Sequence, residues 1–283
     1  MISTNVRFPL WVVLIGFVLF SSGLVSGVQA QPAHHWTLDN TLADSGTVGG
    51  LDLALVGGTS FATDSNAGLA GQVGSLVIDS ATDSFARAAN NGEPFLPDQT
   101  HTITLWARTD SQKFQRWFSW GNCCTPGGAA GNQRYYAGPR GDSNSVQIGY
   151  FDGGVTGGSP TIGQWSHWAI VRDFAASNIK LYKDGAAVID TALAQQPVDL
   201  LASTSGVPDR RLEFRIGNQF DDTTNGIEAI DGRMSDVAIF FEALDQAQIQ
   251  QAMNFGAASV PEPTSLLLLA LGAAGLIVTR RHR

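Results

Sequence analysis

Side chains that could carry out acid–base or nucleophilic chemistry are few in this sequence, and none is spaced for it. Retaining glycoside hydrolysis needs two carboxylates about 5 Å apart, and on a strand this means acids that face one groove. The nearest approach is Glu228-Ala-Ile-Asp231, whose spacing puts its carboxylates on opposite faces of an extended chain. No Gly-x-Ser-x-Gly motif is present, and His167 lies in an apolar segment typical of a sheet. The sequence predicts a domain without catalysis.

Composition excludes two further classes of function. The chain carries a formal charge of −8, and an acidic domain without a basic cluster repels a phosphate backbone, so we expect no nucleic-acid partner. Its two cysteines, Cys123 and Cys124, are adjacent, and a bond between neighbours closes a strained ring. We therefore expect reduced or locally bridged thiols, with an intermolecular link or a soft-metal contact as the alternatives, and neither a disulfide framework nor a zinc site.

Residues 1–30 have the pattern of a secretory signal peptide. Arg7 supplies the positive charge, residues 10–20 supply the apolar stretch, and Val28-Gln29-Ala30 places small residues at the cleavage position. This order of features is typical of a segment that is removed on export. We expect the mature chain to begin at Gln31 and therefore to lie outside the cytoplasm.

The C-terminus has a second targeting pattern. Pro261, Glu262 and Pro263 precede an uncharged apolar run over 265–278, and Arg280 and Arg281 follow it. Apolar residues without a polar face predict a transmembrane helix over 264–283, and the arginines would hold its end on the cytoplasmic side. The prolines cannot continue a helix, so we assign 257–263 to a linker.

Between these segments, residues 31–256 predict one all-β domain. Many short β-rich runs are separated by Gly, Asp and Asn turns, which indicates a two-sheet antiparallel sandwich. Lys183-Asp184-Gly185 has the chemistry of a hairpin turn, and the alternation of Val237, Ile239 and Phe241 predicts an inward face. One short helix is expected after the last strand, over 245–254, with Asp245 as its N-cap.

The C-terminal pattern resembles the PEP-CTERM sorting signal of exported bacterial proteins. The resemblance rests on the Pro261–Glu262–Pro263 motif, the apolar run and the basic end, in that order. It implies an exosortase-type processing enzyme as a partner and a precursor held in the inner membrane. The product would reach the cell surface or the extracellular matrix.

The mature domain resembles the LamG-like jelly rolls of the concanavalin A-like lectin/glucanase superfamily. Three stretches carry the resemblance: Ile103-Thr-Leu-Trp-Ala-Arg108; Trp165-Ser-His-Trp-Ala-Ile-Val-Arg172 with the hairpin that follows it; and the segment from Phe214-Arg-Ile-Gly217 to Ile230-Asp-Gly-Arg and Leu244. The resemblance implies a jelly-roll fold. It says little about the ligand.

The resemblance also implies places for a ligand. Such jelly rolls often carry one calcium ion near their first and last strands, and those places hold Asp39, Asp44, Asp231 and Asp236 here; carboxylate oxygens suit calcium, although Asp also caps ordinary turns. Carbohydrate binding, a common use of the fold, would draw on Asn132, Tyr135 and Tyr136 in the Gly-rich loop 121–145.

We therefore expect an exported, non-catalytic surface protein with a LamG-like recognition or adhesion domain, and an extracellular polysaccharide as a candidate partner. A calcium-supported lectin is the alternative, and a divergent glycoside hydrolase is the least favoured.

Overall fold

The computed structural model of the chain describes residues 30–63, 69, 72–89, 99–121, 134–150, 153–193, 213–219 and 228–260. The signal peptide predicted over 1–30 falls outside these residues except for Ala30. Pro261, Glu262, Pro263, Arg280, Arg281, Asn132 and both cysteines also fall outside them. Within the described residues, no helix has the length and apolar character needed to cross a membrane.

The strands form two antiparallel sheets, as the sequence predicts. One is an eight-stranded sheet in which β1 pairs with β15 beside the main order. In spatial order the other seven strands are β13 (Ala186–Ala192), β12 (Asn178–Lys183), β11 (Trp165–Asp173), β6 (His101–Thr109), β15 (Gly232–Phe240), β4 (Ser75–Ile78) and β3 (Ser60–Ala62), and β1 is His34–Trp36.

The second sheet has seven strands. In spatial order they are β10 (Gly153–Gly157), β9 (Val146–Tyr150), β8 (Arg134–Pro139), β7 (Phe118–Gly121), β14 (Glu213–Ile216), β5 (Phe85–Ala89) and β2 (Ala54–Val56). The non-sequential neighbours of both sheets agree with the predicted jelly-roll sandwich.

The main core fills the space between the sheets and is rich in aromatic rings. Trp117 and Trp168 contact each other with their ring centroids 4.8 Å apart, and Phe214 lies against Trp36 at 5.3 Å. All four side chains are fully buried. Because each removes on the order of 200 Å² from water, these rings are a large source of the apolar burial that holds the sheets together.

A second apolar cluster covers the outer face of the eight-stranded sheet. Helix α1 (Gln246–Phe255) begins at the predicted N-cap Asp245, whose carboxylate accepts from the Gln248 amide in a capping box. Its Ile249 and Ala252 pack with Phe240 on the sheet. A short 3₁₀ helix (Ala257–Ser259) follows.

The packed domain extends past the boundaries expected from the sequence. Ala257 and Val260 are fully buried in the cluster under α1, so the first residues assigned to a linker over 257–263 are part of the domain. Ala30, the last residue of the predicted signal peptide, is buried in the same cluster. The two ends of the described chain therefore pack together on one face of the sheet.

Strand β15 changes partner halfway along one edge. Residues 232–234 pair with β4, whereas residues 237–239 pair with β1. Between the two pairings the register of β15 against β6 shifts between Ser235 and Ala238, which is the signature of a β-bulge. Asp236 lies in this bulge, and its amide bonds to the Thr37 carbonyl at 3.0 Å. A surface cleft lies at this seam, the point where the partner of β15 changes from β4 to β1.

Candidate functional site

A cleft of about 300 Å³ opens at the seam between β1 and β4. Its walls come from the end of β1, the segment before β4, the bulge of β15 and the C-terminal end of α1. The described residues that line it are His35, Thr37, Asp39, Leu69, Gln72, Asp236, Phe255, Gly256, Ala257 and Ala258.

Unusual backbone geometry shapes two walls of the cleft. Leu38, Asn40 and Asp236 have φ angles of 56°, 54° and 48°, in the left-handed region that residues other than glycine rarely adopt. Leu38 is fully buried, so packing holds this conformation in place. Conformations of this kind cost about 1–3 kcal/mol each and cluster at functional sites. Their grouping around one cleft singles it out as the candidate site.

Asp236 links the bulge to two other walls. Its Oδ1 lies 2.7 Å from Nε2 of His35, and its Oδ2 accepts from the Ala257 amide at 3.1 Å. The carboxylate and the imidazole are almost completely buried. Both oxygens are thus engaged by the protein, which fixes the end of α1 against β1.

Gln72 presents a fixed acceptor. Its Nε2 donates to the Thr37 carbonyl at 2.7 Å and to the Gly74 carbonyl at 3.3 Å. Since both amide protons are used, the orientation of the amide is set and Oε1 faces away from those carbonyls. Gln72 is 9 % exposed, and no hydrogen bond to Oε1 is found among the described residues.

Asp39 and Phe255 form the open side of the cleft. Asp39 is half-buried, and the contacts that it makes with described residues are long, to the Val73 amide at 3.4 Å and to Nδ2 of Asn40 at 3.3 Å. Gly74 permits this position, because a Cβ there would lie 2.5 Å from Oδ1 of Asp39. Phe255, the last residue of α1, is 66 % exposed, and it leaves an aromatic surface beside a carboxylate.

A Ser–His–Asp arrangement occurs behind the cleft, but the amides next to its serine are already bonded. Oγ of Ser45 is 3.2 Å from Nδ1 of His35, whose other nitrogen contacts Asp236. A serine hydrolase also needs free amides to stabilise the oxyanion. In residues 45–49 every amide is bonded, that of Gly46 to Asp44 and the others to carbonyls. The arrangement fits a structural link better than a nucleophile.

The four aspartates expected near calcium do not come together. Asp39 and Asp236 line the cleft, whereas Asp44 accepts from Nδ1 of His34 and from the amides of His35, Gly46 and Leu51. Burial alone would raise the pKa of Asp44, but these hydrogen bonds hold it below its ordinary value. The main-chain amide of Asp231 donates to Oε1 of Gln115, and its carbonyl accepts from the Asp110 amide. Among the described residues, no three His, Cys, Asp or Glu form a group suited to a metal ion.

The aromatic residues predicted for sugar binding are buried instead. Tyr135 and Tyr136 belong to β8 and not to an open loop, and their exposed fractions are 0 % and 3 %. Oη of Tyr135 is 3.0 Å from Nε2 of His101, and the Arg116 guanidinium lies 4.3 Å from the ring centroid of Tyr136. The prediction that these two rings offer a stacking surface is therefore wrong, because protein groups already cover them. Asn132 lies outside the described residues.

Sequence reasoning missed Gln72 and Phe255. Phe255 carried a usable signal, since a phenylalanine at the end of a helix with a modest apolar side is a candidate for exposure. Gln72 carried no such signal in the sequence, because the orientation of its amide depends on contacts with the carbonyls of Thr37 and Gly74.

Fold and sequence together define the class of protein. The chain belongs to the concanavalin A-like lectin/glucanases superfamily, whose family model matches residues 80–250. Residues 259–283 match the PEP-CTERM protein-sorting motif, which indicates an exported protein. No curated protein matches the chain. Of the described residues that line the cleft, only Asp236 lies within the matched span of the superfamily, so most of this lining comes from parts of the chain outside that span.

Solved structures share the fold at low identity. Domain 4 of a GH43 extracellular arabinanase from Geobacillus stearothermophilus, in complex with arabinotriose, is 16 % identical with a TM-score of 0.55, covering 80 % of this chain and 99 % of that one. The binding domain of botulinum neurotoxin DC with rat synaptotagmin II is 13 % identical with a TM-score of 0.53, covering 80 % and 51 %. The same binding domain in complex with SialylT is 13 % identical with a TM-score of 0.51, at the same coverages. This chain thus spans about half the length of the neurotoxin chains.

Proposed function

We propose that this protein is an exported, non-catalytic recognition protein of the cell surface and that it binds an extracellular polysaccharide in the cleft. The observation that carries the proposal is the pairing of an exposed ring, Phe255, with two polar side chains, Gln72 and Asp39, in one concave site. Binding sites for small ligands combine apolar walls with a few placed polar groups in this way. The arabinotriose bound to the similar arabinanase domain adds support by analogy of fold.

A glycan array probed with the full-length chain in a mild detergent tests the proposal. We expect binding to a restricted set of glycans, and Phe255→Ala should weaken it about tenfold, the equivalent of about 1.4 kcal/mol. Phe114→Ala is the matched control, since Phe114 is also exposed but does not line the cleft. Equal losses in both variants, or no binding to any glycan, would count against the cleft as the site.

Export and processing form the second part of the proposal. An exosortase-type enzyme would act at Pro261–Glu262–Pro263, after the apolar segment over 264–283 has held the precursor in the inner membrane with Arg280 and Arg281 on the cytoplasmic side. Replacing Glu262 by Ala should leave an unprocessed precursor of larger mass in the membrane fraction. Intact-mass measurement of the native and variant proteins checks this, and identical masses and fractions would contradict it.

Calcium support of the cleft is a second candidate, favoured by the two carboxylates that line it. Calcium takes six to eight oxygen ligands, while Asp236 is engaged by His35 and Ala257 and Asp44 is engaged in its own loop. Only Asp39 among the four aspartates offers a lightly bonded carboxylate in the cleft. Titrating calcium into the full-length chain by calorimetry, with Asp39→Asn as the variant, decides between the candidates.

A further inference from the structure

Two side chains of the cleft present hydrogen-bond acceptors. Oε1 of Gln72 and the carboxylate of Asp39 can accept, whereas three donor groups nearby are already bonded. Nε2 of Gln72 serves two carbonyls, the Ala257 amide serves Asp236, and the Gly256 amide serves the Ala252 carbonyl. The Thr37 hydroxyl can act either way. A ligand that brings donors therefore matches the side-chain acceptors of Gln72 and Asp39.

The described lining of the cleft is acidic in composition. It contains two aspartates, Asp39 and Asp236, and one histidine, His35. None of the described lining residues is Lys or Arg, and the whole chain has a formal charge of −8. A donor that also carries positive charge therefore gains over a neutral one, since charge-assisted hydrogen bonds are about twice as strong.

The apolar wall favours the same kind of ligand. The exposed ring of Phe255 and the buried side chain of Leu69 border the cleft. An aromatic face attracts a nearby cation, by about 0.5–1 kcal/mol at an exposed site, and it also packs against the C–H face of a sugar ring. At about 300 Å³ the cleft is at the small end of ligand pockets, which suits one or two sugar units of a chain.

We propose that the cleft recognises an amino sugar, a sugar unit bearing a free, protonated amine, within an extracellular polysaccharide. The amine donates to Asp39 and to Oε1 of Gln72, and the ring lies against Phe255. The inference rests on the proposed polysaccharide-binding function and names its ligand class.

Two oligosaccharides that differ only in the amine provide the test. A hexamer of β-1,4-linked glucosamine carries free amines, whereas the hexamer of N-acetylglucosamine has the same linkage with each amine acetylated and neutral. Calorimetry uses the full-length chain in detergent at pH 6 with EDTA. We expect the glucosamine hexamer to bind at least tenfold more tightly, and Asp39→Asn to remove most of that difference between the two hexamers.

A matched control separates the cleft from the general acidity of the surface. Asp142 is an exposed carboxylate that pairs with Arg140 and does not line the cleft, so Asp142→Asn should leave the preference unchanged. Equal losses in both variants would overturn the proposal in favour of non-specific attraction. A melting temperature for each variant, unchanged within about 2 °C, confirms that the fold is intact.

The remaining outcomes keep this inference distinct from the proposed function. If both hexamers, or an unrelated neutral glycan, bind with equal affinity and lose it in Phe255→Ala, polysaccharide recognition stands and the amine assignment is overturned. If binding occurs only when calcium replaces EDTA, the ligand is held through a bound cation and the amine assignment is overturned. If no glycan binds in any condition, the proposed function itself fails.

Discussion

Two regions of the molecule combine aromatic rings with polar groups, and they differ in what those groups face. At β8, Tyr135 and Tyr136 are buried under protein partners, His101 and Arg116. At the cleft, Phe255 and Asp39 have open surfaces. Aromatic and polar composition alone therefore does not identify a binding site. The distinguishing feature is whether polar atoms and ring faces are satisfied within the fold or left for a ligand.

Mild acid should produce the largest loss of stability, because two histidines are fully buried, His101 beside Tyr135 and His167 on β11. Burial lowers the pKa of His101 to about 4, and burial lowers the pKa of His167, near Asp236, to about 4 although the charge of Asp236 opposes this. Below pH 6.5 the unfolded chain takes up protons that the folded chain does not. Stability should be full above about pH 6.5 and fall towards pH 4, by about 3 kcal/mol per histidine.

Urea denaturation at a series of pH values measures this loss. Asp44, with its lowered pKa, adds its own loss only below about pH 4, so the histidine effect is separable above pH 5. His101→Gln and His167→Gln should each flatten the slope of unfolding free energy against pH. A variant with an unchanged slope would show that the region around its histidine admits a proton without unfolding.

Removing a ring from β8 should have the next largest effect. Tyr135→Ala deletes a fully buried ring that contacts Phe118 and His101, each with centroids 5.3 Å apart, and leaves a cavity between the sheets. The expected loss is about 3–5 kcal/mol, as for buried phenylalanines. Chemical denaturation measures it; a loss below about 1 kcal/mol would mean that the region is loosely packed, and the comparison with the cleft would weaken.

Adding a methyl group at Gly149 should lower the free energy of unfolding by a smaller amount. This change tests whether the glycine makes room for the buried ring of Tyr136. Gly149 pairs with Tyr136 across β8 and β9, and a Cβ there would overlap the tyrosine ring. We expect Gly149→Ala to lower the free energy of unfolding by about 1–3 kcal/mol. In a Tyr136→Ala background the same change should cost little, and additive losses in the double variant would show that the ring does not depend on the glycine.

The fold was predictable because its signals are local, and the site was not because its parts are distant. Asp184-Gly185 forms the predicted turn with positive φ at both residues, and Val237 and Ile239 face the core as their alternation predicts. Phe241 does not, because β15 ends at Phe240 and leaves Phe241 exposed. His35 and Asp236 are 201 positions apart and meet only because β1 pairs with β15. No spacing of residues in the sequence predicts the contact between His35 and Asp236.

The smallest effect on stability is expected where the effect on binding is largest. Phe255 is 66 % exposed, so Phe255→Ala should change the free energy of unfolding by less than about 0.5 kcal/mol, against the several kcal/mol expected for Tyr135→Ala. Phe255→Trp should keep or raise glycan affinity, because a larger ring face remains in place. Denaturation and calorimetry on the same protein samples measure both quantities. If Phe255→Ala destabilised the fold as strongly as Tyr135→Ala, its ring would be a packing element, and the contrast between the two regions would not hold.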